Sequence, residues 1–513
     1  MKVVKKASKF FSRYPRVTMF SVLGLAVAIF LVITLSKIGA WSVWFDESFS
    51  AYMIRQKWSD IWHFTALDVN APLYYFLLKG WSFIVGHSDV ALRLLSVIFG
   101  VGAVVSGFFL TRRLFGQRVG YLALLFLTLS PMLLRYATEM RCYTLMVFLL
   151  IMATYVFIVA SEKRKIKWWL LYGFLIAAAM WTHYYAVLPI LAHFVWRFIT
   201  LKKKFFTRDF VTAIIFAGML FLPWLPAMIR QITTVQNTGF WIPPFGIDTV
   251  GNFAGEMAIY NTHDHLINWV ALGLVIALVL LITLLIYSHR TLMKKTRTNF
   301  SLVLALIFLS PLILAILSLP PLRPMFINRY VIFSMVMFAI LTAVALGTKL
   351  KTKVLRITQR IFLVLILTLS VWGVRNVLVI GNYNFDTRTI SMAKTLMNQI
   401  TKQSPKPTAV IADTPWIFYD AVVYETCKNP VYFLDSSTKY EYGSLEILRE
   451  AHEYKILNLA KFAKPGQKIW YISSSEQDAF TPPMDNWEQL RRISLSDSID
   501  GNSKYSAAEY LVK

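Results

Sequence analysis

The acids of the first long polar stretch are the residues best suited to chemistry. Asp46 and Glu47 follow the apolar run Trp-Ser-Val-Trp-Phe, and Asp68 and Asn70 come just before another apolar run. A carboxylate beside a bilayer is costly unless it faces water, a cation or a reacting group. Such acids could take a proton from a hydroxyl group, or hold a divalent cation against a phosphate. The plainer alternative is a solvated acidic surface.

A second group of charges lies in SPMLLRYATEMRCYTLM, residues 130–146. Arg135 and Glu139 stand four residues apart and would share a helix face. Together with Arg141 they could form a phosphate clamp, because a guanidinium group presents paired donors that match phosphate oxygens. The alternative is a structural ion pair that closes a helix turn.

Further candidates lie at the ends of predicted membrane spans. His183 and Tyr184 stand in the run Trp-Thr-His-Tyr-Tyr, where the histidine is either a titratable group of a site or a residue hydrogen-bonded between helices. Aromatic residues are ordinary at membrane interfaces, so the tyrosine alone indicates little. Arg329 lies near the hydrocarbon layer, where an anionic lipid headgroup would give it a partner.

These residues must be positioned by helices in a membrane. The chain is 57% hydrophobic and 16% charged, with a mean hydropathy of +0.55, whereas about a quarter of the residues of a soluble protein are charged. The net charge of +26 comes from short basic clusters between apolar runs. That is the pattern of cytoplasmic loops rather than of a nucleic-acid-binding protein. The composition therefore predicts a polytopic α-helical membrane protein.

Eleven apolar runs are long enough to cross a bilayer, or thirteen if two short spans are hidden among them. They lie near residues 17–36, 90–111, 119–136, 141–160, 167–182, 184–200, 209–229, 266–288, 300–319, 329–348 and 360–380. If the N-terminus and the basic clusters are cytoplasmic, the loops 37–89 and 230–265 face outward. Residues 72–86 are apolar but short and contain Lys79, so we expect a juxtamembrane helix along the outer surface.

The composition changes near residue 385, beyond which acids and bases are nearly balanced. Short β-rich runs at 408–412, 429–435 and 468–474 alternate with polar stretches, and residues 444–463 read as helical. We therefore predict a transmembrane domain over residues 1–384 and a small extracytoplasmic α/β domain over residues 385–513.

The order of the short motifs resembles the GT-C superfamily of membrane glycosyltransferases. Within it, the chain is similar to the family 39 branch, which is related to the protein O-mannosyltransferases and the lipid A aminoarabinose transferase. The matching motifs are WFDES, DVNAPLYY, DVALRLLSVIFG, RRLFGQRVGYLALLFLTLSP, RYATEMRCY, THYY and NRYVIF. They cover residues 17–200 and, more loosely, 300–345. One departure is Asn70-Ala71-Pro72, where many relatives have His-Pro-Pro.

The resemblance implies a GT-C fold and transfer of a sugar, with inversion, from a polyprenyl-phosphate donor to an acceptor on the outer face of the membrane. The acceptor would be a protein, a cell-envelope glycan or a glycolipid. The resemblance implies that Asp46 is the catalytic base or acceptor-orienting carboxylate, with Glu47 beside it. The donor-phosphate and substrate-binding residues that it implies are Arg135, Arg141, Arg329, Asp68, Asn70, Glu139, His183 and Tyr184.

Several alternatives remain open at this point. A divalent cation, if one takes part, would be held by Asp46, Glu47 and Asp68. A lipid or solute transporter is the main competing function, but transporters usually show internal repeats and ionisable residues at mid-span. A non-catalytic assembly protein built around the outer domain is the third. The basic pI of about 9.9 and the unpaired cysteines fit a multi-pass protein of a bacterial plasma membrane.

Overall fold

The computed structural model describes most of the chain. The described residues are 15–202, 205–238, 242–260, 266–276, 294–348, 352–380, 392–404, 406, 408–435, 438–440, 443–496 and 504–513. The basic clusters at residues 2–16 and 290–297 therefore lie only partly within them.

The part of the described chain before residue 381 is helical. Its α-helices are α1 (Pro15–Leu35), α2 (Phe45–Met53), α3 (Trp58–Leu67), α4 (Leu73–Val85), α5 (Asp89–Phe115), α6 (Gln117–Thr128), α7 (Pro131–Ala137), α8 (Tyr143–Lys163), α9 (Ile166–Thr182), α10 (Val187–Leu201), α11 (Arg208–Phe221), α12 (Leu225–Thr238), α13 (Ile247–Ile259), α14 (Leu266–Ile276), α15 (Lys294–Leu317), α16 (Ile332–Gly347) and α17 (Lys353–Ile380). Helices α5, α8 and α16 are the most buried, and α1 and α17 are largely exposed.

Eight helical segments of the described chain are long and apolar enough to cross a membrane, and a ninth is added if the bent pair α6 and α7 forms one span. The predicted runs at 167–182 and 266–288 correspond to α9 and α14, which are apolar but shorter. Residues 277–288 lie outside the described part. Every predicted run thus coincides with an apolar helix, and the multi-span membrane class is confirmed. Within the described residues, eight or nine of the predicted eleven to thirteen spans reach full length.

The first long loop contains three short helices, α2, α3 and α4. The juxtamembrane helix predicted at 72–86 is α4. Its charged residue, Lys79, is buried, and its Nζ donates hydrogen bonds to the carbonyl oxygens of Ile54 and Gln56 just beyond the end of α2. The carbonyls at a helix C-terminus lack partners within the helix, so a cation there is stabilising. Lys79 thus anchors the end of the helix that carries Asp46 and Glu47.

The second long loop is more ordered than the sequence indicated. Residues 230–265 are not one irregular loop, because α12 continues to Thr238 and α13 covers Ile247–Ile259. The small residues Gly251, Ala254 and Gly255 are buried on one side of α13. Small residues at helical spacing allow close packing against a neighbour, although a glycine-rich sequence reads locally as a loop.

The C-terminal part is a six-stranded mixed sheet with flanking helices, in the strand order β3-β2-β1-β4-β6-β5. Strands β1 to β4 are parallel, and β6 and β5 complete the sheet as an antiparallel pair. In chain order the elements are α18 (Ala393–Gln403), β1 (Ala409–Ala412), α19 (Pro415–Val423), β2 (Val431–Leu434), α20 (Ser444–Ile447), β3 (Lys455–Ile456), α21 (Leu459–Phe462), β4 (Lys468–Ser473), α22 (Glu476–Phe480), β5 (Trp487–Ser496) and β6 (Lys504–Val512). The predicted α/β character is confirmed.

The helix predicted over residues 444–463 is wrong. The segment forms two short helices, α20 and α21, with the edge strand β3 between them. Lys455 and Ile456 pair with Phe433 and Leu434, and the side chain of Asn458 accepts the N–H of Lys461 to begin a new helix. Strand pairing and this N-cap therefore override the helical propensity of the segment.

The C-terminal sheet domain packs on the first long loop through α19 and α2. Tyr419 lies 5.6 Å from Phe45, 5.7 Å from Phe49 and 5.2 Å from Tyr52 between ring centroids. These rings meet edge to face or nearly so, which is a favourable aromatic arrangement. The aromatic side of α2 is therefore covered by the C-terminal domain.

Polar contacts reinforce the same interface. The Ser48 hydroxyl of α2 donates a buried hydrogen bond to the Asp420 carboxyl of α19. Lys394 Nζ lies 2.8 Å from Asp89 Oδ2, and the Tyr424 hydroxyl accepts the N–H of Val43 at 2.9 Å. The C-terminal domain and the loop 37–89 therefore lie on the same side of the helical bundle.

Candidate active site

The short helix α2 places its two acids in different surroundings. It begins after Trp44, whose carbonyl oxygen accepts the N–H groups of Glu47 and Ser48. Asp46 and Glu47 both lie in the first turn, where negative charge is favourable beside the exposed N–H groups. Because successive residues of a helix point about 100° apart, Glu47 faces the protein interior while the side chain of Asp46 is partly exposed.

Glu47 is fully buried in a saturated network. Arg93 donates from Nε to Glu47 Oε1 at 2.8 Å and from Nη2 to Oε2 at 2.6 Å, and neither side chain is exposed. The N–H of Met140 also donates to Glu47 Oε1 at 2.9 Å. The other N–H groups of Arg93 donate to the carbonyl oxygens of Ile38, Trp41 and Ser42. The predicted catalytic role of Glu47 stays a prediction, and these contacts favour a positioning role.

Asp46 is held by arginines but remains accessible. Its Oδ2 lies 3.1 Å from Arg329 Nη1 and 3.8 Å from Arg141 Nη2, and its side chain is 20% exposed. The Arg329 guanidinium also lies 5.7 Å from the centre of the Trp44 ring. The structure therefore brings together one open carboxylate and two of the three arginines that the sequence singled out.

Arg141 connects α2 to the neighbouring elements. Its Nη1 donates to the Tyr75 hydroxyl at 3.1 Å and to Ser50 Oγ at 3.4 Å, and its Nη2 donates to Asn70 Oδ1 at 3.3 Å. Its Nε is buried and has no hydrogen-bond partner among the described residues. Arg141 thus retains one donor for a further acceptor.

The turn at residues 68–70 forms another side of the site. Asn70 donates from Nδ2 to Asp68 Oδ2 at 2.6 Å while its Oδ1 accepts from Arg141. Burial raises the pKa of Asp68, and the hydrogen bond from Asn70 works against that rise. An amide at position 70 therefore bridges an acid and a base. In the C-terminal domain, a Cβ at Gly443 would stand 3.5 Å from Asp68 Oδ1, so that domain also reaches the turn.

Tyr184 stabilises the 68–70 turn from a segment outside the first long loop. Its hydroxyl donates to Gln231 Oε1 at 2.5 Å and accepts from Trp224 Nε1 at 2.7 Å. Gln231 in turn donates to the carbonyl oxygen of Asn70 at 3.2 Å. Tyr184 therefore contributes by holding the backbone of the 68–70 turn.

His183 lies in an aromatic layer behind the arginines. Its ring is 5.7 Å from Tyr143 and 5.4 Å from Tyr330, and its Nδ1 accepts the N–H of Tyr185 at 3.3 Å. Burial, with smaller contributions from Arg141 and Arg329, lowers its pKa to about 3. The imidazole is therefore neutral near pH 7, which favours the hydrogen-bonded alternative over a proton donor.

Arg135 and Glu139 form the buried ion pair that was the alternative for this segment. Arg135 Nη1 lies 2.6 Å from Glu139 Oε2, and its Nε donates to the Tyr260 hydroxyl at 2.8 Å. The short helix α7 that carries Arg135 is bent by 53° from α6, with Pro131 at its first turn. A phosphate contact of Arg135 remains a prediction, since its guanidinium is bound by Glu139 and Tyr260.

The donor set does not fit a divalent cation. Among the described residues, no three His, Cys, Asp or Glu side chains lie close enough to hold a metal ion. The three acids suggested for such a site have other partners: Asp46 contacts arginines, Glu47 is bound by Arg93, and Asp68 accepts from Asn70. We therefore assign no step to a metal.

Several residues that complete the site were not recognised as site residues. Arg93 carried a signal, because a charged residue inside an apolar span is costly without a specific partner. The others contribute through contacts between segments distant in the sequence and carry no local signal. They are Tyr75, Gln231, Tyr260 and Asp420, together with Glu256, whose side chain forms a hydrogen bond with Asn328.

The fold is similar to solved structures of membrane glycosyltransferases. ArnT from Cupriavidus metallidurans in the apo state aligns with a TM-score of 0.62 at 13% identity, over 96% of this chain and 98% of that chain. The same protein bound to undecaprenyl phosphate aligns with a TM-score of 0.58 at 12% identity, over 94% and 97%. The Archaeoglobus fulgidus oligosaccharyltransferase, tethered with an acceptor peptide, aligns at 0.52 and 12% identity over 82% of this chain and 64% of that chain.

The sequence comparisons agree with the structural ones. Residues 69–226 match the family model described as dolichyl-phosphate-mannose-protein mannosyltransferase. No curated protein sequence matches the chain. The chain thus has the fold of the GT-C membrane glycosyltransferases, and the resemblance predicted from the motifs is confirmed. More narrowly, its architecture is similar to that of ArnT over nearly the whole length of both chains.

Proposed function

We propose that this protein is an inverting glycosyltransferase that moves a sugar from a polyprenyl-phosphate donor to an acceptor on the outer face of the membrane. The observation that carries the proposal is the position of Asp46, an accessible carboxylate flanked by Arg141 and Arg329. The fold is consistent with this reaction, and the ArnT structure with undecaprenyl phosphate shows that a protein of this fold binds such a lipid.

The geometry suits a single displacement. An acceptor hydroxyl or amine next to Asp46 would attack the anomeric carbon as its proton passes to the carboxylate. The bond between that carbon and the phosphate oxygen breaks, and the polyprenyl phosphate leaves with the electron pair. Arg141 and Arg329 would stabilise the charge that develops on the leaving phosphate, because guanidinium groups bind phosphate oxygens through paired donors.

The surrounding residues would hold these groups in place. Glu47 and Arg93 fix the start of α2, and Asn70 orients both Asp68 and Arg141. Preorganised groups of this kind lower the barrier because they need little rearrangement during the reaction. Asp68, in the 68–70 turn, would form part of the surface that contacts the acceptor.

The proposed location is the plasma membrane of a bacterium, with a cytoplasmic N-terminus and the C-terminal domain outside. The contacts between α19 and α2 support the last point, because they require the C-terminal domain to share a side with the loop 37–89. The positive-inside pattern places that loop outside.

Transfer can be tested directly with purified protein, a panel of radiolabelled polyprenyl-phosphate sugars and an extract of the host envelope. Wild type is compared with Asp46→Asn and with Asp60→Asn, which makes the same chemical change in the same loop. We expect label to move to an acceptor with wild type and Asp60→Asn but not with Asp46→Asn. Lipid movement in liposomes without any covalent transfer would contradict the proposal and favour a transporter.

A further inference from the structure

One large aromatic side chain remains accessible where the C-terminal domain meets α2. Trp416, at the start of α19, is 46% exposed, yet its ring centroid lies 4.4 Å from that of Phe45. The neighbouring rings of the interface, Phe418 and Tyr419, are buried. Phe45 immediately precedes Asp46, so this accessible ring lies beside the start of the helix that carries the candidate base.

Polar residues follow the two strands that end next to the start of α19. Strand β1 pairs with β2 on one side and with β4 on the other. The order in which the chain adds strands therefore changes direction between β1 and β4. Open α/β sheets bind ligands outside the carboxyl ends of their strands at such a switch point. Asp413 and Thr414 follow β1 directly, and Ser474 follows β4. Trp416 stands three residues after Asp413.

The groups at these strand ends have the chemistry that a sugar ring requires. Asp413 forms side-chain hydrogen bonds with Ser473 and Thr414, and burial raises its pKa. A sugar ring has an apolar face of C–H groups and a rim of hydroxyl groups. The first packs on an aromatic face, and the second requires donors and acceptors such as carboxylates and hydroxyls.

We propose that Trp416 is the stacking platform of an acceptor subsite that binds a saccharide ring, with Asp413 and the ends of β1 and β4 contacting its hydroxyl groups. This inference rests on the proposed function and deepens it, because it assigns the C-terminal domain the task of presenting a carbohydrate acceptor to Asp46. Trp416 as a membrane anchor at the lipid interface is the competing interpretation.

Binding can be measured without transfer. The full-length protein in detergent is examined by saturation-transfer NMR with a panel of soluble methyl glycosides and disaccharides of glucose, mannose, galactose and N-acetylglucosamine. We expect at least one saccharide to bind saturably to wild type, and Trp416→Ala to weaken that binding by about tenfold, as truncation of a central aromatic contact does. Trp416→Phe should restore part of it. The control is Trp58→Ala, since Trp58 is a similarly exposed tryptophan, 47% exposed, that lies on α3 in the loop 37–89.

The outcomes separate this inference from the proposed function. If no saccharide of the panel binds wild type, or if Trp416→Ala binds as wild type does, the subsite is contradicted. Saccharide binding that depends on Trp416 in a protein without transferase activity would support the subsite and contradict the proposed function. Where transfer is observed, Trp416→Ala should raise the KM for the acceptor and leave kcat and the donor KM unchanged. A fall in kcat at unchanged acceptor KM would contradict the subsite.

Discussion

The adjacent acids Asp46 and Glu47 belong to two clusters that differ in exposure to solvent. The closed cluster consists of Glu47, Arg93 and the N–H of Met140, and both of its side chains are wholly buried. The open cluster consists of Asp46, Arg141 and Arg329, and its carboxylate is accessible. Both neutralise an acid with arginine, but only the second leaves a carboxylate within reach of a substrate. The difference favours a structural role for Glu47 and is the reason that the proposed chemistry is assigned to Asp46.

The largest effect is expected in the open cluster. Asp46→Asn removes the only base that we assign to the reaction, so the rate of transfer should fall by about 10²- to 10⁴-fold. The melting temperature in detergent should change little, because the amide is nearly isosteric with the carboxylate and the side chain at this position is partly exposed. Transfer of radiolabel and a thermal melt on the same preparation check both statements. Wild-type activity in the folded variant would show that Asp46 is not the base.

The closed cluster should show the reverse pattern. Arg93→Met leaves the Glu47 carboxylate buried without its cation, which costs about 3–5 kcal/mol of folding free energy. Glu47→Gln should be milder, because the amide can still accept from Met140 and from Arg93. Denaturation curves of both variants provide the measurement. A melting temperature of Arg93→Met equal to that of wild type would show that the cluster is not structural.

The pH dependence of stability probes Glu256 on α13, whose pKa is affected by Arg329 of the open cluster. Burial raises the pKa of Glu256 from its ordinary 4.5 to about 7, while Asn328 and the nearby arginines oppose that rise. The folded state therefore binds the proton more tightly than the unfolded state. The contribution of Glu256 to stability is present below pH 4.5, declines as the pH rises towards 7, and is constant above it.

Glu256→Gln should remove this decline. Melting temperatures measured between pH 4.5 and 8 should show a smaller loss for the variant than for wild type. Asp248→Asn is the control, because Asp248 is an exposed acid on the same helix, α13. Identical pH profiles for wild type and Glu256→Gln would show that the site does not hold this carboxyl in its protonated form.

The smallest effect is expected at the rim of the domain interface. Arg55 Nη1 lies 2.6 Å from Glu425 Oε1, with about a fifth of each side chain exposed. Partly exposed ion pairs contribute about 0–1 kcal/mol, so Glu425→Gln should lower the stability only slightly. Transfer should be unaffected, since neither residue contacts Asp46. A large loss of activity in this variant would indicate that docking of the C-terminal domain depends on charge rather than on the aromatic contacts of α19 and α2.

The membrane helices could be predicted because long apolar runs are a local property of the sequence. The partners within the site could not, since Asp46 and Arg329 are separated by 283 positions. The positive-inside rule predicted that the basic and acidic candidates share the outer face of the membrane. It could not predict the different surroundings of Asp46 and Glu47, because these depend on Arg93. Its charge inside a span was visible, whereas its partner was not.

The C-terminal domain shows the same limit. Strands β1, β2 and β4 were predicted because they are buried β-rich runs. Strand β5 was missed because an irregularity between Gln489 and Arg491 shifts its register, which interrupts the alternation that identifies a strand. Strand β3 has only two residues, too few for a local signal.

The most direct test of the account compares Asp46→Asn with Glu47→Gln in a single experiment. Initial rates of sugar transfer are measured for both at a temperature where thermal melts show both to be folded. We expect Glu47→Gln to retain transfer and Asp46→Asn to lose it, with the lower melting temperature in Glu47→Gln. Transfer by Asp46→Asn together with an inactive but folded Glu47→Gln would contradict the assignment of the base.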